Sequence, residues 1–72
     1  MSRSTVAVMA GSSLQWREFD RNHPESKNVF CNRWPEFAGY EFDRAVCVGN
    51  FETRKDATEI MQRVLPQVRG SK

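Results

Sequence analysis

Histidine occurs once in this sequence, cysteine twice, and no apolar run is longer than Val6–Ala10. Each scarcity removes a class of function. A lone His23 with the widely separated Cys31 and Cys47 is a poor zinc ligand set, because a structural zinc site needs four closely spaced N or S donors. A nucleophile–base pair would need His23 beside a thiol or hydroxyl. His23 instead stands in a turn over residues 22–26, where Pro24 pushes it out of helical geometry and towards solvent. The glycines, Gly11, Gly39, Gly49 and Gly70, are scattered and form no phosphate-cradling loop. Two cysteines are too few for a disulfide-built secreted domain. The segment TVAVMA is too short for the apolar region of a signal peptide, and nothing approaches the roughly 18 apolar residues of a membrane span. The sequence has no N-glycosylation sequon. These absences lead to the expectation of a cytoplasmic protein with reduced thiols, bound to no membrane, metal or cofactor.

An excess of charge of one sign is also missing. The chain has 11 basic and 9 acidic residues for a net charge of +2. Each half, 1–36 and 37–72, carries one more basic than acidic group. A dedicated nucleic-acid binder shows a lopsided basic face. The sequence pI of about 8.8 permits such binding without predicting it.

What is present suits one small domain over 1–72, with fraying expected at residues 1–4 and 69–72. A chain of 72 residues buries only about 60% of its unfolded surface, which leaves little room for a deep cleft. The expectation is therefore that it is not an enzyme. Residues 5–10 read as a strand buried on at least one face. Residues 14–21, LQWREFDR, are ambiguous: Leu14, Trp16 and Glu18 alternate as a strand would, whereas Trp16 and Phe19 are spaced for a helix with Ser12 or Ser13 as its cap. Residues 28–34 read as a strand with Val29 and Cys31 on one face and Phe30 and Trp34 on the other. Residues 42–51 form a strand centred on Ala45–Val48, with Gly49 marking a bulge or a close backbone approach.

The strongest pattern is C-terminal. Ala57, Ile60, Met61, Val64, Leu65 and Val68 make an amphipathic helical stripe. Thr53 and Asp56 suggest a capping box, and Pro66 closes the helix at about Leu65. The fold class expected is α+β, with about three antiparallel strands against one C-terminal helix.

The letters EFDR occur at 18–21 and again at 41–44. Their flanks do not match, so a repeat architecture is rejected. As half-exposed strands, both copies would place Phe19 and Phe42 on one core face. Paired carboxylates Glu18/Asp20 and Glu41/Asp43 would need a cleft to become an acid–base or metal site. The nearby arginines are their expected partners.

Half of the eight aromatic rings fall in RWPEFAGYEF, residues 33–42. Pro35, Glu36, Ala38 and Gly39 mark this stretch as a loop or bend, and loops lie at the surface. Trp, Tyr and Arg dominate protein–protein hot spots. Arg33, Trp34, Glu36, Phe37 and Tyr40 are therefore the expected partner-binding residues, facing another protein or a second copy of the chain. The competing reading is a loop folded over the core by its own rings. A mild basic bias on the helix and tail (Arg54, Lys55, Arg63, Arg69 and Lys72) supports an alternative in which Arg54, Lys55 and Arg63 contact nucleic acid, with Arg33 beside them.

The stretch VCVGNFETRKDATEIMQRVL, residues 46–65, resembles the strand-to-helix half of peptidoglycan-binding SPOR repeats and equally the last strand and helix of AP2-type DNA-binding domains. Both have a strand ending in Gly-x-Phe, a cap residue and an Ala-containing helix. The resemblance covers under a third of the chain. The chain departs from SPOR proteins, which are exported, in having no export signal, and from AP2 domains in lacking a strongly basic sheet. It assigns no family. The functional expectation is a compact non-enzymatic protein that occupies a macromolecular partner's surface. Chains of this size without a catalytic set include the small inhibitors that phages and mobile elements direct at host machinery, anti-CRISPR proteins among them.

Overall fold

The computed structural model describes residues 3–69. The elements in order are β1 (Thr5–Ala10), α1 (Ser13–Asn22), β2 (Lys27–Phe30), β3 (Arg44–Val48), a 3₁₀ turn (Phe51–Thr53), α2 (Ala57–Val64) and a second 3₁₀ turn (Leu65–Gln67).

The three strands form one sheet in the order β2-β1-β3, and both pairings are parallel. Thr5 to Val8 align with Lys27 to Phe30, and Val6 to Ala10 align with Arg44 to Val48. This overturns the expected antiparallel sheet, and there are two α-helices rather than one. The physical reason lies in residues 13–22. Ser12 is extended and its hydroxyl accepts the Gln15 N–H, which starts a helix there. A helix after β1 carries the chain back along the sheet, so β2 begins at the same end as β1. The connection 31–43 does the same for β3.

Both connections leave from the carboxyl end of the sheet but cross it sideways in opposite directions, and they cover opposite faces. Val6, Val8 and Ala10 pack with Trp16 and Phe19 of α1, and with Phe30, Val46 and Val48. Trp16 stacks on Phe30 at 5.6 Å between ring centroids. On the other face, Ala7 and Met9 pack with Cys31, Phe37, Phe42, Phe51 and α2's Ala57, Ile60 and Val64. The central strand is buried from both sides, so it reads as an unbroken apolar run rather than an alternating one.

Several boundaries move. The strand expected over 28–34 ends at Phe30, and the one expected over 42–51 is confined to Arg44–Val48. The capping box does not form: the Thr53 hydroxyl donates to the Asn50 carbonyl at 2.7 Å, and Asp56, at the N-cap of α2, makes no side-chain cap bond. The two EFDR phenyl rings lie on opposite faces of the sheet, not on one. His23 is half-buried, with its ring stacked on Phe19 at 4.1 Å, rather than free in solvent. The thiols are separated by β1: Cys31 is buried and Cys47 is exposed. Arg69 is tied down, its N–H donating to the Phe42 carbonyl at 2.6 Å. The remainder of the expected fraying, at residues 1–2 and 70–72, lies outside the described residues, as does Lys72. No helix among the described residues is long and apolar enough to cross a membrane.

Candidate functional site

Two surface regions gather chemically distinctive side chains. The first is the connection from β2 to β3. Phe37 and Phe42 are fully buried and anchor it to the core. Gln67, in the turn after α2, donates to the carbonyls of Phe37 at 2.8 Å and Tyr40 at 3.0 Å. Tight turns close between Arg33 and Glu36, Pro35 and Ala38, and Phe37 and Tyr40. The segment is therefore a braced platform.

Trp34 stands on this platform with 38% of its surface exposed, its ring edge-on to Phe37. The guanidinium of Arg63 lies over the Trp34 ring at 4.5 Å from its centroid, within cation–π range. Arg63 also lies 3.6 Å from Glu59. Of the other expected partner-binding residues, Arg33 and Glu36 are exposed. Tyr40 is half-buried, stacked on Phe42 beneath the Lys27 ammonium. Phe37 belongs to the core and offers no surface to a partner.

The three cations of the alternative site do not act together. Arg54 turns inward, donating to the carbonyls of Ala10 at 3.2 Å and Asn32 at 3.3 Å and pairing with Asp56 at 2.9 Å. Arg63 lies on Trp34, and Lys55 is exposed. The structure thus unites one residue from each expected site, Trp34 and Arg63. Their sequence separation hides the pairing from any local reading.

The second region is a crevice of about 320 Å³ lined by Gly11, Ser12, Gln15, Asn50, Thr53 and Arg54. It lies at the carboxyl ends of β1 and β3, where the chain departs to opposite faces of the sheet. Such switch points are where open parallel sheets hold ligands. The Gln15 side chain lies against Gly11 and Gly49. A Cβ at Gly11 would fall 2.7 Å from the Gln15 Oε1, and one at Gly49 would overlap the carboxamide itself. Gly49 also has φ +62, a conformation that favours glycine. The Gln15 Oε1 is shielded from solvent and meets no donor.

Sequence reasoning missed this crevice. Its signal was a strand followed by Gly-Ser-Ser and a helix, but only the adjacency of β1 and β3 gives that loop an opposite wall.

A smaller cavity of about 160 Å³ is lined by Ser4, Val6, Phe19, His23, Glu25, Ser26 and Arg44. It assembles no nucleophile–base pair. The Ser26 hydroxyl is engaged by Asn28 at 2.7 Å, and His23 Nδ1 lies 3.0 Å from the Phe19 carbonyl. Burial pushes the Cys31 thiol up to about 12, which keeps it protonated and unreactive. Cys47 is raised by partial burial and then by the charge of Glu52. Among the described residues, no cluster of three or more His, Cys, Asp or Glu side chains is placed to hold a metal ion.

Three of the four EFDR carboxylates, those of Asp20, Glu41 and Asp43, are occupied structurally. Glu41 and Asp43 flank Arg69 at 2.6 and 3.7 Å, and Asp20 accepts from Asn28 at 2.9 Å. The second copy's arginine partner is the distant Arg69 rather than Arg44, and among the described residues the first copy's Glu18 and Asp20 form no ion pair with an arginine. No protein-family model matches the chain, and no curated protein or solved structure matches it significantly.

Proposed function

We propose that this chain is a small non-enzymatic binding protein that occupies the surface of a protein partner through Trp34 and Arg63. The observation that carries this reading is the half-exposed Trp34 ring under the Arg63 guanidinium, on a loop braced by buried phenylalanines and Gln67. Trp and Arg are the residue types that concentrate binding energy in protein interfaces. A ring held in place before contact loses little conformational freedom on binding. Arg63 over the ring and the exposed Arg33 next to Trp34 in sequence suit a partner that presents a carboxylate next to an apolar socket. Occlusion of a macromolecular partner is the mode of action open to so small a body, and inhibition follows where the covered surface is functional.

The test is capture of a partner by the full chain, reconstitution with the purified partner, and comparison of variants. Trp34→Ala and Arg63→Ala should each weaken the reconstituted complex by at least about tenfold, or roughly 1.4 kcal/mol. Lys55→Ala should leave it unchanged. Equal affinity across all three variants would remove the Trp34 patch from the interface. A steep loss of binding with salt, together with a large Lys55→Ala effect, would point to nucleic acid instead.

A further inference from the structure

We propose that the cavity beside the carboxyl end of α1, at the amino ends of β1 and β3, binds a free α-amino acid with a small apolar side chain. Arg44 takes the ligand's carboxylate and Glu25 its ammonium. This site is separate from the Trp34 patch and does not depend on it.

Two opposite charges line this cavity without meeting. Arg44 begins β3, Glu25 lies in the turn before β2, and β1 stands between those two strands. Strands about 4.8 Å apart put the two backbones roughly 10 Å from each other. Both side chains border the cavity of about 160 Å³, yet among the described residues neither forms an ion pair. Arg54, Arg63 and Arg69, by contrast, are each paired with a carboxylate. A simple anion drawn to Arg44 would also face the Glu25 carboxylate, and a simple amine drawn to Glu25 would face the guanidinium. Like charges brought together in this way count against the wrong ligand. A ligand that carries both charges meets no such penalty.

The other lining groups agree with that polarity. Arg44 aligns with Val6 across the sheet, and Val46 and Val48 of the same strand pack on the α1 face. Side chains alternate along a strand, so Arg44 is carried over that same face. Its planar fork can hold a carboxylate by two parallel hydrogen bonds. On the Glu25 side, His23 Nδ1 lies 3.0 Å from the Phe19 carbonyl. A carbonyl only accepts, so Nδ1 carries the proton and Nε2 of the neutral ring is left as an acceptor. That nitrogen suits an ammonium and not a carboxylate. Val6 and Phe19 supply apolar lining for an aliphatic side chain. A cavity of about 150 Å³ holds a molecule the size of benzene, which keeps that side chain small.

The experiment is an amide chemical-shift titration of the full chain with L-valine, isovalerate and isobutylamine. The last two keep the valine side chain and one charge each. L-Valine should move the amides of Val6, His23, Glu25, Ser26 and Arg44, and should bind at least about tenfold more tightly than either one-charge analogue. Arg44 and Glu25 are exposed, so Arg44→Gln and Glu25→Gln should keep the fold. Each should lower the L-valine affinity by at least about tenfold. Should one variant disturb the fold, the other, on the opposite wall, repeats the comparison. No movement of these amides at about 50 mM L-valine would overturn the proposal. So would isovalerate binding as well as L-valine with no loss in Glu25→Gln, which would leave only an anion site at Arg44.

Discussion

Glu-Phe-Asp-Arg at 18–21 lies inside α1, whereas the same four residues at 41–44 pass from a bridge at Phe42 through a bend at Asp43 into β3 at Arg44. In the first copy, Phe19 is half-buried against the sheet face under α1 and Asp20 reaches Asn28. In the second, Phe42 is fully buried on the other face, and its backbone bridges Val68. Asp43 accepts the Thr5 N–H at 2.8 Å, and Glu41 and Asp43 hold Arg69 between them. The tetrapeptide has no conformation of its own. Ser12 caps one copy into a helix, while Gly39 before and Ala45–Val48 after draw the other into the sheet. Its residues do what their flanks and distant partners require.

The sharpest break in this comparison comes from the two phenylalanines. Phe42→Ala should cost about 3–5 kcal/mol, because it empties a sealed core position. A chain this size has only about 4–11 kcal/mol of total stability, so the variant should be partly or fully unfolded by circular dichroism. Phe19→Ala should cost about 1–2 kcal/mol and leave a cooperative urea transition, since its ring is only partly buried at the edge of the core. Equal losses at the two sites would mean that α1 is as essential to the core as the Phe42 bridge.

The two cysteines repeat the contrast between identical residues in different surroundings. Cys47, its pKa raised, should react with a thiol reagent more slowly than a free thiol, and Cys31 at least about 100-fold more slowly than Cys47, a further protection of roughly 2.7 kcal/mol. Cys31 also makes stability depend on pH. Its folded pKa is raised to about 12, so the unfolded chain loses this proton first as pH rises. Its contribution is complete below the unfolded thiol's range near 8.5 and is lost towards 12. The urea midpoint should therefore fall over that window, and Cys31→Ala should flatten the slope. An unchanged slope would place the alkaline sensitivity elsewhere.

The smallest effects should come from the aspartates. Asp43→Ala removes the acceptor for the Thr5 N–H and one of Arg69's two partners, and should cost about 1 kcal/mol. Asp20→Ala removes an exposed hydrogen bond to Asn28 and should stay within about 0.5 kcal/mol. Thermal unfolding of both variants in one buffer would rank them, and a reversed order would show that the α1 end of the sheet is held more tightly than the Arg69 end.

Local features of the chain were readable in advance because local physics governs them. Val6–Ala10 is a strand because its β-branched residues and flanking turn signals agree. The stripe from Ala57 places a helix whose inner face is Ala57, Ile60 and Val64, and Pro66 stops it within two residues. Gly49, expected as a bulge or a close backbone approach, is instead a left-handed turn residue against which the Gln15 side chain lies. Strand direction was not readable, because it turns on whether residues 13–22 form a helix, a choice made between a weak local pattern and the apolar surface waiting on the sheet. Nor was the exposure of the aromatic segment. The spacing of Trp34, Phe37 and Tyr40 does not reveal that Phe37 fills the core while Arg63 settles over Trp34. Burial belongs to the assembled sheet, and residues distant in sequence meet only after it has closed.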